Sequence, residues 1–392
     1  MDSTIQRFFS PCPRGLETVL ERELHGMSID STERTDGGVA FRGPWFTLYR
    51  VNLESRIASR VLWQVGRTSY RTEQDVYRAA YELAWEHWFE PSRSLKVKVS
   101  ARRCPLTSLD FLTLRIKDAI CDRFMAVRRR RPTVDTHRPD VRIDVFLDET
   151  SVTLYLDTSG EPLFKRGFRH DTVAAPLREN LAAGLLRLTG WTGDRAFVDP
   201  MCGGGTIPLE AALMARCIAP GWRRSFAFER CLFHDAKTWG RFQETARTQQ
   251  LGSAPCQIHA SDQNPESVSI AARTFQAAGV ATDIRLERTD LLTLEPPAAQ
   301  GVMLLNPPYG VRLGASNKLA ELYPKIGDWL KQRWAGWRVY VFTGDARFQK
   351  LIGLTTSKRI PLFNGSLECR LYEFEIVAGS MRKRSRRAHD NG

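Results

Sequence analysis

The sequence predicts an α/β fold in which a doubly wound parallel sheet follows a smaller α+β region, and three observations carry that prediction. Beyond residue 176, helical patterns alternate with short apolar strand candidates, as stacked βαβ units do. Three consecutive glycines, Gly203, Gly204 and Gly205, join one of those strands to a helix. The stretch 160–169 loses periodicity and gains basic residues, which marks a junction between two kinds of pattern. At 392 residues the chain is also longer than a single growing core usually allows.

Taken in order, a strand begins at Phe8, a helix covers about 15–25, and a hairpin turns at Gly37-Gly38 before Val39-Ala40-Phe41. Mixed elements follow: a strand at Val61-Leu62-Trp63, a helix over 75–85, a strand over 95–99 and a helix over 110–124. Alternating strands over 141–146 and 151–156 then flank the turn Asp148-Glu149. After the junction come an amphipathic helix over 177–188 and the parallel strands Ala196-Phe197-Val198, Ile258-His259-Ala260, Ile284-Arg285-Leu286, 302–305 and 339–342. Their apolar character suits burial on both faces. An antiparallel hairpin over 356–362 and 370–377 closes the sheet, and a basic tail, 380–392, reads as disordered. The resulting blocks are 1–54, 55–160, 161–379 and 380–392.

Fifty-seven Lys and Arg against 44 Asp and Glu give a formal charge of +13, a field that attracts polyanions, so nucleic acid leads as the partner class. The eight cysteines lack C-x-x-C pairing, which indicates neither a zinc site nor a disulfide framework. No apolar run reaches bilayer length and the N-terminus lacks a signal-peptide layout, so a cytoplasmic protein without membrane contact is expected.

Chemistry concentrates in the second half. In Asp199-Pro200-Met201-Cys202-Gly203-Gly204-Gly205-Thr206, glycines let the backbone turn and approach a ligand, although a purely structural turn uses them too. A Walker A loop needs Lys after the glycines, and the spacing also misses G-x-G-x-x-G, so triphosphate and dinucleotide fingerprints are both absent. Asp262 ends a second strand, where a carboxylate either accepts ribose hydroxyls or caps a helix. Asp290 either accepts from an adenine amino group or begins a turn. The most specific signal is Asn306-Pro307-Pro308-Tyr309-Gly310 after a buried strand. Two prolines fix the backbone and remove donors, leaving the Asn306 amide oxygen and neighbouring carbonyls as acceptors for an exocyclic amine, against which Tyr309 can stack.

These motifs resemble those of class I methyltransferases acting on amino groups of nucleic-acid bases. The resemblance is closer to the bacterial THUMP-domain RNA guanine-N2 methyltransferases of the large-subunit rRNA type. It extends over nearly the whole chain, from Phe8-Phe9-Ser10-Pro11-Cys12-Pro13-Arg14-Gly15 through 160–169, Ala175-Pro176-Leu177-Arg178-Glu179-Asn180 and Phe226-Ala227-Phe228-Glu229-Arg230. It implies a ferredoxin-like unit, a THUMP RNA-binding domain and a seven-stranded Rossmann-like domain using S-adenosyl-L-methionine. It further implies that Asp199 with Gly203, Gly204 and Gly205 shapes the methionine side, that Asp262 binds ribose and Asp290 adenine, that Pro200, Cys202, Thr206 and Asn306 also contact the cofactor, and that Asn306, Pro307, Pro308 and Tyr309 take the base. Gly204 departs from the Ser that relatives often carry.

The implied reaction is methylation of guanine N2 in RNA, with 23S rRNA or a pre-50S particle as substrate. A tRNA methyltransferase shares the architecture, and a non-catalytic assembly factor is the reading of another class. The implied protein is a monomer or a homodimer. Arg128, Arg129, Arg130 and Arg131, with Lys165, Arg166 and Arg169, are candidates for phosphate contact or for a solvated face. The aromatic segment 222–239 reads as packing in preference to an RNA channel.

Overall fold

The computed structural model describes residues 4–168, 177–308 and 315–378, with side chains from residue 320 onward in the last segment. The chain divides into two compact units, 1–167 with 218–250, and 168–217 with 251–392.

The first unit opens with β1 (Gln6–Pro11), α1 (Glu17–Gly26), β2 (Thr32–Thr35), β3 (Gly38–Gly43), α2 (Thr47–Glu54) and β4 (Leu62–Ser69). It continues with α3 (Glu73–Tyr81), β5 (Leu95–Ala101), α4 (Leu109–Arg128), β6 (Val141–Leu147) and β7 (Ser151–Asp157). Its strands form one sheet in the order β2-β3-β1-β4-β7-β6-β5, so β4 joins what the sequence suggests are two blocks. Along β6, Val141, Ile143, Val145 and Leu147 are buried and alternate with half-buried residues, the period-2 pattern that fixes which face meets the core. Asp148 turns the chain into β7 by accepting from the amides of Thr150 (2.9 Å) and Ser151 (2.6 Å). Thr72 caps α3 in a reciprocal box with Asp75, and Ser108 caps α4.

Helix α2 is not among the predicted elements. Thr47, Leu48, Tyr49, Val51, Asn52 and Leu53 are all buried, so it shows no polar stripe for periodicity to reveal. What covers it comes from much later in the chain.

The second unit begins with α5 (Glu179–Leu188), β8 (Ala196–Asp199) and α6 (Thr206–Ala215), and the chain then returns to the first unit for α7 (Ala236–Thr248). The second unit is completed by β9 (Ile258–Asp262), α8 (Pro265–Ala278), β10 (Ile284–Arg288), β11 (Gly301–Leu305), α9 (Ala315–Arg333), β12 (Trp337–Thr343), α10 (Phe348–Leu351), β13 (Lys358–Asn364) and β14 (Leu367–Glu375). Its strand order is β10-β9-β8-β11-β12-β14-β13, with the predicted parallel strands running from β10 through β12 and the predicted antiparallel hairpin at β14 and β13. Strands β8 and β11 are fully buried. On one face Val198, Met303, Leu305, Val339 and Val341 pack with Tyr323, Trp329, Trp334 and Trp337 into a core cluster. Progression runs outward from β8 in one direction and from β11 in the other, which makes the β8/β11 boundary the switch point where loops diverge and a ligand crevice opens.

Residues 218–250 contribute a wall of rings to the first unit. The Tyr49 hydroxyl accepts from the Asp235 amide (2.9 Å), and Trp45 meets both Trp63 and Phe233 edge-on at 4.6 Å. Phe226 stacks on Phe228 at 5.3 Å, and Phe228 abuts Tyr49 and Trp239 at 4.9 and 5.1 Å. The Gly221 amide donates to the Leu53 carbonyl at 2.9 Å, and a Cβ there would sit 2.8 Å from the Asn52 carbonyl oxygen, an approach only glycine permits. The aromatic segment therefore packs, and its target is the buried helix α2.

Candidate active site

Four loops leave the carboxyl ends of β8, β9, β10 and β11 and enclose a cavity of about 680 Å³ within the second unit. Register sets them level: Val198 faces Met303, Asp199 faces Ala260, and Asp262 faces Arg288 across their ladders.

The loop after β8 is held by its neighbours' backbone. The Cys202 amide donates to the Ser261 carbonyl (2.9 Å), and the Gly205 amide donates to the Cys202 carbonyl (2.8 Å). Gly205 has φ +81° and opens α6, and a Cβ on it would meet the Phe275 ring at 2.6 Å. Gly203 also has positive φ, and its amide donates to Asp262 Oδ2 at 2.9 Å. Asp262 thus ties the glycine turn to β9, and its Oδ1 accepts from the Asn264 amide (2.9 Å). It is not the helix cap: Asn264 caps α8 by accepting from the Glu266 amide (2.9 Å), with Pro265 at the first helical position. Asp290 does cap a short 3-10 turn, Leu291–Thr293, through the Leu292 amide (2.9 Å), while still lining the cavity.

Two acceptors in this cavity have no partner among the described residues: Asp199 Oδ2 and Asn306 Oδ1, both sealed from bulk solvent. Asp199 is 1% exposed, and its other oxygen accepts from the Met201 amide at 3.2 Å. Burial foremost, and then the adjacent Asp262 carboxylate, push its carboxyl well above the usual carboxylate range. Burial likewise raises the Cys202 thiol, which makes it unreactive at neutral pH. A buried acceptor without a donor costs free energy, so the pair marks where a ligand's donors belong. Asp199 and Asn306 stand on the two sides of the switch point, at the ends of β8 and β11.

The cavity wall brings together Asp199, Pro200, Cys202, Gly203, Gly204, Thr206, Asp262, Asp290, Asn306 and Pro308 from the predicted set. Gly205 and Pro307 are not among the residues lining the wall; Pro307 is buried between Asn306 and Pro308, which are. Tyr309 and Arg169 fall outside the described residues, as does the basic tail. The basic candidates diverge. Arg128, Arg129, Arg130 and Arg131 are exposed at the end of α4, and Arg131 pairs with Asp118 (3.2 Å). Lys165 pairs with Glu161 (2.5 Å). Arg166 departs from the expected phosphate contact: it is 2% exposed, and its guanidinium donates to the carbonyls of Leu163 (2.8 Å) and Arg56 (2.7 Å), so it holds the chain rather than a phosphate.

Glu266, Ser267, Glu321, Leu322 and Lys325 also line the cavity and were not singled out by the sequence reading. Glu266 follows Asp262 closely enough for proximity to have flagged it. The α9 residues carry no comparable mark.

Three family models match in chain order: the RlmL ferredoxin-like domain over 7–62, the THUMP domain over 70–157, and the RMKL-like methyltransferase domain over 166–373. The ribosomal RNA large subunit methyltransferase K/L of Syntrophotalea carbinolica is 39% identical over 96% of this chain, which covers 54% of that protein. A putative RNA methyltransferase of Synechocystis is 35% identical, with 95% of this chain and 98% of the relative covered. The chain therefore spans about half the length of the K/L relatives and nearly all of the Synechocystis protein. Among solved structures, SMU.472, a putative methyltransferase complexed with SAH, has a TM-score of 0.88 at 29% identity over 97% of this chain and all of that one. A protein described as a predicted N6-adenine-specific DNA methylase from Listeria monocytogenes has a TM-score of 0.87 at 29% identity, covering 95% of this chain and 97% of that one. With this fold, these motifs in place and these matches, the chain belongs to the RMKL-like methyltransferase family, with an RlmL-type ferredoxin-like domain and a THUMP domain ahead of its class I methyltransferase domain.

Proposed function

We propose that this chain methylates the exocyclic N2 of a guanine in RNA, with 23S rRNA as substrate and S-adenosyl-L-methionine as methyl donor. The observation that carries the reading is the pair of unpartnered acceptors, Asp199 Oδ2 and Asn306 Oδ1, on either side of one cavity.

The residues present fit the donor. The Asp199 carboxylate suits the ammonium of its methionine part, the glycine turn at 203–205 admits close backbone approach, Asp262 suits the ribose and Asp290 the adenine amine. When bound, S-adenosyl-L-methionine supplies an electrophilic methyl whose transfer cancels a sulfonium charge. The chain's own work is to position the amine. Asn306 Oδ1 and the Pro307 carbonyl accept the two amine protons, which draws the nitrogen lone pair out of conjugation and points it across the crevice. Pro307 and Pro308 hold those acceptors rigid, so the alignment is made before the base arrives. No strong base is required before transfer, because the amine nitrogen turns acidic only once it carries the methyl group, and the surplus proton passes to water as the methylated base leaves the rim. The base must be extruded to reach this rim, at a cost of a few kcal/mol, which favours loops and loosened helices as targets.

The rRNA assignment rests on the names of the K/L relatives and on the matched THUMP domain. The division of labour we propose follows the blocks 1–54, 55–160 and 161–379, with RNA capture in the first two, methyl transfer in the third, and cytoplasmic action throughout. Asn306→Ala tests the central role. Methyl transfer, measured by tritium incorporation, is expected to fall about 10²-fold or more, while calorimetry shows cofactor affinity within a few-fold of the parent. Undiminished turnover in that variant would remove Asn306 from the mechanism.

A further inference from the structure

Resting on the RNA methyltransferase reading, we propose that Lys325 is the phosphodiester grip of the site, holding the RNA backbone beside the target nucleotide. Six charged residues among those described line the cavity, and five are acidic: Asp199 and Asp262 at the ends of β8 and β9, Glu266 in the first turn of α8, Asp290 after β10, and Glu321 from α9. Among the described lining residues Lys325 is the one cation. In a chain of net charge +13 this wall is strongly inverted. The inversion suits a donor bearing ammonium and sulfonium charges and repels a polyanion approaching over the β8–β10 side. The RNA strand is therefore admitted on the β11–α9 side, where Asn306 and Pro308 form the base rim and Lys325, among the described lining residues, supplies the attraction for a phosphate.

The helix fixes where that ammonium is presented. Trp329, one turn further along the same face, donates from Nε1 to the Leu294 carbonyl at 3.2 Å, and Leu322 packs against the buried core cluster. These contacts set the rotation of α9 and direct the 321/325 face at the cavity. Lys325 is exposed, and among the described residues it forms no ion pair, although Glu321 lies one turn before it. An ammonium on a flexible stem that no internal carboxylate has claimed is suited to an incoming phosphate as a point charge.

The experiment compares Lys325→Ala, Lys325→Arg and Lys325→Glu with the parent full chain. A fluorescein-labelled 23S rRNA fragment is bound in the presence of saturating S-adenosylhomocysteine and read by anisotropy across 50–200 mM KCl. Lys325→Ala is expected to weaken RNA binding about fivefold and to lower the slope of log affinity against log salt by about 0.7–0.9, the loss of one phosphate contact. Lys325→Arg is expected to restore both, and Lys325→Glu to weaken binding further, with S-adenosylhomocysteine affinity within twofold throughout. Unchanged RNA affinity and salt slope in Lys325→Ala overturns the proposal. So does a loss of S-adenosylhomocysteine affinity in that variant, which assigns Lys325 to the cofactor wall. The binding assay needs no turnover, so a parent chain that fails to methylate the same RNA counts against the enzyme reading alone.

Discussion

A carboxyl group sealed from water at the end of a buried strand lowers stability unless something answers its charge. Asp199 is placed that way, and its raised proton affinity states the cost. Because the native group holds its proton to higher pH than the unfolded one, the native state binds more protons in the interval between the two values. Stability contributed by this group is therefore complete below the ordinary carboxylate range and declines as pH rises through the native value. Asp199→Asn, which keeps the shape and removes the ionisation, is expected to raise the melting temperature of the cofactor-free protein at pH 7.5, by about 2–4 °C for each kcal/mol recovered. The gain shrinks toward pH 4.5, while cofactor affinity falls about tenfold or more. A variant that melts lower at pH 7.5, or that binds cofactor normally in calorimetry, contradicts this account. At this scale the sequence was informative: Asp199, Asp262 and Asn306 each stand at or just past the carboxyl end of a short strand, where a doubly wound sheet presents side chains to a ligand crevice. Its limit was ambiguity in a single role, since both Asp262 and Asp290 had a plausible capping use. The structure gives the α8 cap to Asn264 and leaves Asp290 with both a cap and a place on the cavity wall.

Elements divide according to how much of their surface is polar. Helices with one wet face, such as α3 and α8, and strands with clean alternation, such as β6, were legible because burial leaves a period in the sequence. Helix α2 was not, because it is enclosed by a segment nearly two hundred positions away, and no local pattern encodes that cover. The dependence is testable in the cover itself. Phe228 is fully buried against Tyr49 and Trp239, and Phe228→Ala is expected to destabilise the first unit by about 3–5 kcal/mol while cofactor affinity in the second stays within a few-fold. Near-parental melting in that variant would show that the rings are merely adjacent. In the second unit the glycine turn carries the corresponding constraint. Gly205→Ala places a methyl 2.6 Å from the Phe275 ring at a backbone angle that L residues rarely adopt, so a loss of about 1–3 kcal/mol is expected, with weakened cofactor binding. Equal stability and affinity in the alanine variant would mean that the turn tolerates a side chain. Residues 321–325 stand out only in the structure, for a different reason: they carry no motif, and it is the fold that turns one face of α9 toward the cavity.

For the molecule as a whole, two charge distributions coexist: a net positive chain suited to a polyanion, and an acidic cavity suited to a cationic methyl donor. Under the proposed function the first serves RNA capture and the second the methyl donor, with one extruded base admitted to the rim at Asn306. Chain topology was the least legible feature at this scale. A junction near residue 160 was visible as a change of pattern, but the return of 218–250 to the first unit was not, because an aromatic run does not state which surface it will cover. A rim of acceptors such as Asn306 Oδ1 suits the N2 amine of guanine and the N6 amine of adenine alike, so the identity of the methylated nucleoside is the sharpest test of the proposed function. The purified chain is incubated with methyl-tritiated S-adenosyl-L-methionine and a protein-free 23S rRNA transcript, and the RNA is digested to nucleosides and resolved by chromatography with mass detection. The account predicts label in N2-methylguanosine, abolished by Asn306→Ala; label in N6-methyladenosine, or no label from a chain shown to bind the cofactor, would contradict it.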